Sequence, residues 1–283
     1  MPFLKVVVLA IVQGLAELLP VSSSAHVVVA EKLMGLDPAS PPMTLLLVML
    51  HTGTMFAVIA YFWNRWRASY FANGPEFRRF ALRVVLASAL TAVIGEGIIL
   101  LIEHTVLRAI PHAQIEDLFS HLEWIAPALA AAGLLILWAG LTQARAVPDE
   151  LSLGQSALIG AVQGLCLPLR GLSRSGATIS AGMLAGVERA RAESFSFALA
   201  VVLTPAGVAR EALRVVHAAR AGGAGAVTAA TTPSLLGAVL AFLAGLVALR
   251  WLSRVLESGR WYLFGIYCLV AAIAVLWLHH LGY

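Results

Sequence analysis

PLRGLSRSGAT, residues 168–178, sets two arginines, two serines and a threonine between long apolar stretches. A charged side chain at the centre of a membrane helix costs roughly 2.5–3.5 kcal/mol on insertion scales. Arg170 and Arg174 therefore read as a break in an apolar segment, not as part of a span. A second break lies near the start of the chain, at LPVSSS, residues 19–24. The fold follows from how these two interruptions are placed.

Mean hydropathy is +0.88, and hydrophobic residues make up 60% of the chain against 12% charged. A soluble domain of this size needs more polar surface, so an integral membrane protein is expected. Outer-membrane strands would alternate over ~10 residues. The chain instead carries apolar runs of 18–23 residues, at 43–63, 82–102, 125–142, 195–217, 234–252 and 261–281. Such runs suit helices that cross a hydrocarbon core of about 30 Å. The first segment, Phe3 to Leu19, has no evident signal-peptide cleavage pattern. Cys166 and Cys268 lie in apolar segments, which argues against a disulfide framework or a metal cluster. The pI near 9.4 comes from scattered arginines that mark cytoplasmic flanks, so nucleic acid is not an expected partner.

The regions 3–35 and 154–187 are apolar but broken, and each half is short for a span. AIVQGLAELLPVSS from Ala10 resembles GAVQGLCLPLRGLS from Gly160, with VQGL at Val12 and Val162, an offset of 150 positions. Ser23 falls on Ser173 at the same offset, and three long apolar runs follow each copy. Three is odd, so the second hairpin enters from the side opposite the first. The expected fold is an all-α polytopic membrane protein with six transmembrane helices and two re-entrant helical hairpins. It forms one domain over 1–283, an inverted-topology repeat of about 1–147 and 148–283, with a binding site near the midplane. Arg65, Arg67, Arg78 and Arg79 place loop 64–81 in the cytoplasm. Arg145, Arg189, Arg191, Arg254 and Arg260 agree, and the acidic loop 103–124, with Glu116 and Asp117 against Arg108, falls outside. Lys32 and Arg220 are exceptions. The first hairpin then opens to the periplasm and the second to the cytoplasm.

Gln13 and Glu17, four apart, project from one helix face. Pro20 ends that helix, Ser22, Ser23 and Ser24 can cap the next, and His26 follows one turn later. In the second break Gly171 permits a tight turn, Ser173, Ser175 and Thr178 supply hydroxyls, and Arg174 offers a forked donor for phosphate oxygens. Glu17, Arg170 and Arg174 are costly in a membrane unless they meet one another or a charged ligand. Together they suit a phosphate or diphosphate headgroup on a membrane-borne substrate. Blander roles are expected for several neighbours. For Ser22, Ser24 and Ser180 backbone bonding or helix bridging stands level with a site role, while Glu96 suits a span end, Arg210 and Glu211 a structural ion-pair or interface set, and Cys166 packing.

QGLAELLPVSSSAH (Gln13–His26) and RGLSRSGAT (Arg170–Thr178) resemble the paired signatures of bacterial undecaprenyl-diphosphate phosphatases, the bacitracin-resistance family. HTGT at His51–Thr54, FSFALAVVLTPAG at Phe195–Gly207 and FGIYCL at Phe264–Leu269 extend the resemblance along the chain. It implies an inner-membrane enzyme that converts undecaprenyl diphosphate to the monophosphate carrier of peptidoglycan synthesis and so confers bacitracin resistance. Its partners would be that lipid, membrane lipids and at most a second copy of the chain, with the active site opening to the periplasm. Carried over by motif, Glu17 would hold Mg2+ or Ca2+ or assist proton transfer, with Gln13 beside it. Ser23 would be the nucleophile and His26 the general acid or base, or His26 the nucleophile itself; attack by water is a third route. Ser22, Ser173, Arg174, Ser175 and Thr178 would grip the diphosphate. Arg170 stands where the family usually has proline, which leaves it as an added phosphate contact or a sign of altered activity.

A lipid translocase built on the same inverted repeat is the competing class, and phosphate release separates the two. A phosphatidic-acid-phosphatase type-2 site would need a histidine soon after Ser173-Arg174, whereas the next is His217. The absence of a Walker GxxxxGK[ST] motif argues against an ATP-driven pump in this chain.

Overall fold

The structure, a computed structural model, describes residues 2–37, 40–105, 122–142, 150–220 and 224–282. All regular elements among them are helices: α1 (Phe3–Leu18), α2 (Ser23–Leu33), α3 (Pro41–Ser69), α4 (Gly74–Thr105), α5 (Leu122–Leu141), α6 (Leu153–Cys166), α7 (Arg174–Leu184), α8 (Arg189–Ala218), α9 (Ala224–Glu257) and α10 (Tyr262–His280). Arg108, Glu116, Asp117 and Arg145 of the orientation argument lie outside the described residues.

Six helices, α3, α4, α5, α8, α9 and α10, are long and apolar enough to cross a membrane, and they coincide with the six apolar runs. Several run past the apolar core, since a helix continues where its flanks become polar: α4 starts at Gly74 and carries Glu76, Arg78 and Arg79 before its apolar stretch. The other four fall short of the ~30 Å core. At 1.5 Å per residue, α1 reaches about 24 Å, α6 about 21 Å, and α2 and α7 about 17 Å each.

The core joins Leu18 of α1, Phe62 and Trp66 of α3, Ile125 and Leu129 of α5, Phe195 and Phe197 of α8, and Trp261 beside α10. Much of the outer surface is apolar too. Val93, Ile273 and Trp277 are all more than 60% exposed, as expected of faces in contact with lipid tails rather than water.

Each short hairpin packs its first helix on a long one. α1 lies against α9 and α6 against α4, and glycine permits both approaches. A Cβ on Gly14 would stand 2.8 Å from the Ala241 carbonyl oxygen and 2.6 Å from Ala244 Cβ. One on Gly164 would stand 2.9 Å from both the Thr91 carbonyl oxygen and Ile94 Cβ. Position by position, these two contact sets are separated by 150 residues.

Candidate active site

In the first hairpin, Pro20 stops α1. Leu19, constrained by the proline that follows, is extended at ψ 151°. The chain then turns through Ser22, which holds φ +67°, a region disfavoured for any residue with a Cβ and one where strain of about 1–3 kcal/mol tends to mark function. Ser22 caps α2, its Oγ accepting from the Ala25 amide at 3.5 Å. The second hairpin turns at Gly171, with φ +102°. A Cβ there would meet the Ile125 carbonyl oxygen at 2.4 Å, so glycine is required on both conformational and steric grounds. Ser173 caps α7, accepting from the Gly176 amide at 3.2 Å. Two helix N-termini, both favourable to anions, therefore begin at the two hairpin tips.

The tips touch. Ser175 Oγ donates to the Leu19 carbonyl at 3.2 Å, and the Gly171 amide donates to Ser24 Oγ at 3.4 Å. At their junction Arg174 Nη2 donates to Glu17 Oε1 at 2.9 Å. The other carboxylate oxygen, Oε2, accepts from Ser23 Oγ at 2.5 Å and from Gln13 Nε2 at 3.1 Å. Residues of opposite charge, distant in sequence, thus resolve each other's cost of burial. Arg174 Nη1 is the exception: it is buried and has no hydrogen-bond partner. A guanidinium nitrogen left in that state has the geometry to receive an anionic oxygen.

Two histidines border this pair. His51 of α3 turns Nε2 toward Glu17 Oε2 at 3.8 Å, with its Nδ1 donating to the Leu47 carbonyl at 2.8 Å. His26 of α2 has Nδ1 at 2.8 Å from the Ser22 carbonyl and Nε2 at 2.7 Å from the Tyr267 hydroxyl. Ser23 thus finds its partner in Glu17, while both ring nitrogens of His26 are engaged elsewhere.

A family model described as "Bacitracin resistance protein BacA" matches residues 6–274. The chain belongs to the BacA family. It is 53% identical over 284 residues to an "Undecaprenyl-diphosphatase 2" of Acinetobacter baylyi, covering 98% of both chains. An "Undecaprenyl-diphosphatase" of Desulfosudis oleivorans is 36% identical over 96% of this chain and 97% of that one. One of Rhodopirellula baltica is 33% identical over 98% of each.

In this BacA-family chain, Gln13, Glu17, Ser23 and Arg174 come together, as the motifs led one to expect. The other residues expected to grip the headgroup also hold bonds within the frame. Ser22 and Ser173 cap helices and Ser175 links the tips. Thr178 is fully buried, bonded to the Arg174 carbonyl at 2.7 Å and Ser196 Oγ at 2.6 Å. Arg170 is exposed, and its charge bears on the buried Glu31 of α2. Ser180 accepts from Trp261 Nε1 at 3.0 Å, a helix-packing bond. Glu211 pairs with Arg214 at 3.0 Å, in keeping with the structural set expected there. Two bordering residues, His51 and Tyr267, were missed as site members. Both lie in stretches that carry the resemblance, HTGT and FGIYCL, but their sequence neighbours gave no sign that they reach the hairpins.

Proposed function

We propose that this chain hydrolyses undecaprenyl diphosphate to undecaprenyl phosphate and inorganic phosphate. The observation that carries this reading is the meeting of Glu17, Ser23 and Arg174 at the hairpin tips, with a buried guanidinium nitrogen still unpartnered. The diphosphatase names of its full-length relatives agree, and they lend no support to a translocase. In the proposed reaction the terminal phosphate takes the free Nη1 of Arg174 and the amides of the two helix starts. Arg174 is drawn from Glu17 toward the phosphate, and Glu17 accepts the Ser23 proton. Ser23 Oγ attacks phosphorus, the anhydride P–O bond breaks, and undecaprenyl phosphate leaves. His26 serves water attack on phospho-Ser23 as general base, and inorganic phosphate departs. Gln13 holds the Glu17 carboxylate by its amide, and His51 lies beside it.

Purified full-length protein given undecaprenyl diphosphate is expected to release phosphate, and Glu17→Ala and Arg174→Ala are expected to abolish release. Lipid transport without phosphate release would overturn the proposal. Rapid quench should trap an acid-stable phosphoserine; an acid-labile adduct would assign the nucleophile to His26.

The divalent ion implied by the resemblance, Mg2+ or Ca2+, would meet one protein carboxylate here, Glu17. Among the described residues no three His, Cys, Asp or Glu side chains gather into a metal cage. The donors present suit an ion that arrives with the diphosphate, whose oxygens supply most hard ligands. Such an ion would neutralise charge on the transferred group. Phosphate release unaffected by chelator would refute it.

The frame belongs to the same proposal: one domain over 1–283, built as an inverted repeat of two re-entrant hairpins, each followed by three spans. Its support is the matching order of elements and the 150-residue register shared by the Gly14–Ala241–Ala244 and Gly164–Thr91–Ile94 contacts. The proposed setting is the bacterial inner membrane with the site open to the periplasm. Its support is the cluster Arg65, Arg67, Arg78 and Arg79 about the α3–α4 turn, which reads as cytoplasmic. A homodimer is a further proposal, testable by mass measurement in detergent.

A further inference from the structure

We propose that His51 supplies a second protein ligand for the divalent ion, a ring nitrogen beside the Glu17 carboxylate, so that the site selects a transition-series ion such as Mn2+ or Zn2+ over Ca2+. The proposal rests on the reading of the site just given and concerns a residue of α3, outside both hairpins. His51 Nδ1 lies 2.8 Å from the Leu47 carbonyl, which can only accept, so Nδ1 carries the proton of the neutral ring. The lone pair is then on Nε2, which faces Glu17 Oε2 at 3.8 Å. An ionised carboxylate oxygen also only accepts. Two acceptors turned toward each other at that distance repel unless a cation lies between them. An imidazole that ligates a metal has this arrangement, with its far nitrogen donating to a backbone carbonyl and its near one free. His26 differs, since its Nε2 is already hydrogen-bonded to the Tyr267 hydroxyl at 2.7 Å.

The separation and the free capacity of the carboxylate both fit. Two tetrahedral ligands about 2.1 Å from one ion stand roughly 3.4 Å apart, which a small side-chain rotation reaches from 3.8 Å. Of the carboxylate's about four acceptor sites, Ser23 and Gln13 take two on Oε2 and Arg174 takes one on Oε1. Arg174 vacates its own when it turns to the phosphate. Packing holds His51 in place. Leu50, next to it, is buried in one cluster with Val6, Leu9 and Ala10 of α1, the helix that carries Glu17. Two residues on, Gly53 sets α3 against α9, and a Cβ there would meet the Ala238 carbonyl oxygen at 2.2 Å. The His51 side chain itself is 41% exposed, accessible to an ion that arrives with a diphosphate. Ca2+ and Mg2+ take oxygen ligands, whereas imidazole nitrogen suits transition-series ions. One carboxylate and one imidazole, completed by diphosphate oxygens, therefore favour Mn2+ or Zn2+.

The test reads binding and needs no turnover. Untagged full-length protein in detergent is given Mn2+ with methylenediphosphonate, a diphosphate whose bridge does not hydrolyse. Electron spin-echo modulation detects a nitrogen bonded to Mn2+. That coupling is expected in the wild type and should take the nitrogen-15 pattern when histidine is so labelled, a result that needs no folded variant. His51→Gln, at a partly exposed position, should abolish it. The same substitution should weaken binding of the Mn2+ complex about tenfold or more, at least what loss of a metal's outer-shell partner costs. It should leave the Ca2+ complex within about twofold, since Ca2+ draws on oxygen ligands. Absence of histidine coupling in the wild type would overturn the proposal and assign the gap beside Glu17 to a proton on Nε2. Coupling that survives His51→Gln, or equal losses for Mn2+ and Ca2+, would overturn it as well. Histidine coupling in a protein that releases no phosphate from undecaprenyl diphosphate would leave the second ligand in place and overturn the proposed function instead.

Discussion

Gln13 of the first hairpin and Gln163 of the second stand 150 residues apart, in the same VQGL motif and on equivalent turns of α1 and α6. Both are buried, but Gln13 donates to the Glu17 carboxylate whereas Gln163 donates to Thr91 Oγ1 at 3.2 Å. The divergence continues along the hairpins. Leu167 is the counterpart of Glu17, Gly176 of His26, and Ser24 of Arg174. The first hairpin holds the carboxylate and the imidazole, and the second holds the guanidinium. An identical pair would have set like charges against each other at the junction of the tips. Divergence puts opposite charges there, which stabilises both in a low-dielectric setting.

The largest expected effect comes from breaking that division. Glu17→Ala and Arg174→Ala should each lower phosphate release by on the order of 10³-fold or more, as loss of a buried charged partner at a reaction centre does. The double exchange Glu17→Arg with Arg174→Glu restores an ion pair but sets a guanidinium beside the Ser23 hydroxyl, so activity should stay lost. Recovery in the phosphate assay would show that the pair serves stability alone.

Gly171→Ala probes the turn that only the second hairpin makes with a left-handed glycine. Backbone strain of about 1–3 kcal/mol, plus the clash with the Ile125 carbonyl, should lower the thermal midpoint measured in detergent. An unchanged midpoint would mean that the tip moves freely against α5. The glutamines give a smaller contrast. Gln13→Leu should slow release about tenfold, the loss of one hydrogen bond to a charged group. Gln163→Leu, whose Oε1 already lacks a partner, should leave the rate within about twofold. Equal losses would dissolve the comparison.

The smallest effect lies at the start of the second hairpin, outside the membrane spans. Glu150 accepts from Arg83 of α4 at 2.9 Å, and this bond holds its carboxyl below the usual carboxylate range. A depressed carboxyl stabilises the fold above its unfolded pKa, and the gain is lost as pH falls through the folded value. Glu150→Gln should therefore remove up to about 1 kcal/mol at neutral pH and flatten the acid-side decline. Thermal midpoints of both proteins, measured from neutral pH downward, check the sign.

Much of this was legible beforehand. Six runs of apolar residues specify six long helices, because length and hydropathy are summed over neighbours in the chain. The breaks were legible for the same local reason: proline stops α1, and glycine with arginine interrupts the second region. Glu17, Ser23 and Arg174 were singled out because charge and hydroxyl stand out against an apolar background, and they do meet. The bonds that Thr178, Ser173 and Ser175 make within the frame were not legible. A hydroxyl in a motif looks the same whether it faces a ligand or caps a helix.

The sequence by itself determined how many helices are long enough to cross a membrane, where two of the apolar regions break, and which polar residues had to be satisfied there. Tertiary structure decided who satisfies whom. Arg174 finds Glu17 across 157 positions and His26 finds Tyr267 across 241. His51 reaches Glu17 from a helix whose local pattern is only that of an apolar span. Periodicity records the face a residue takes on its own helix. Which other helix comes against that face depends on packing summed over the whole chain, and that sum settled the partners of Glu17 and His26.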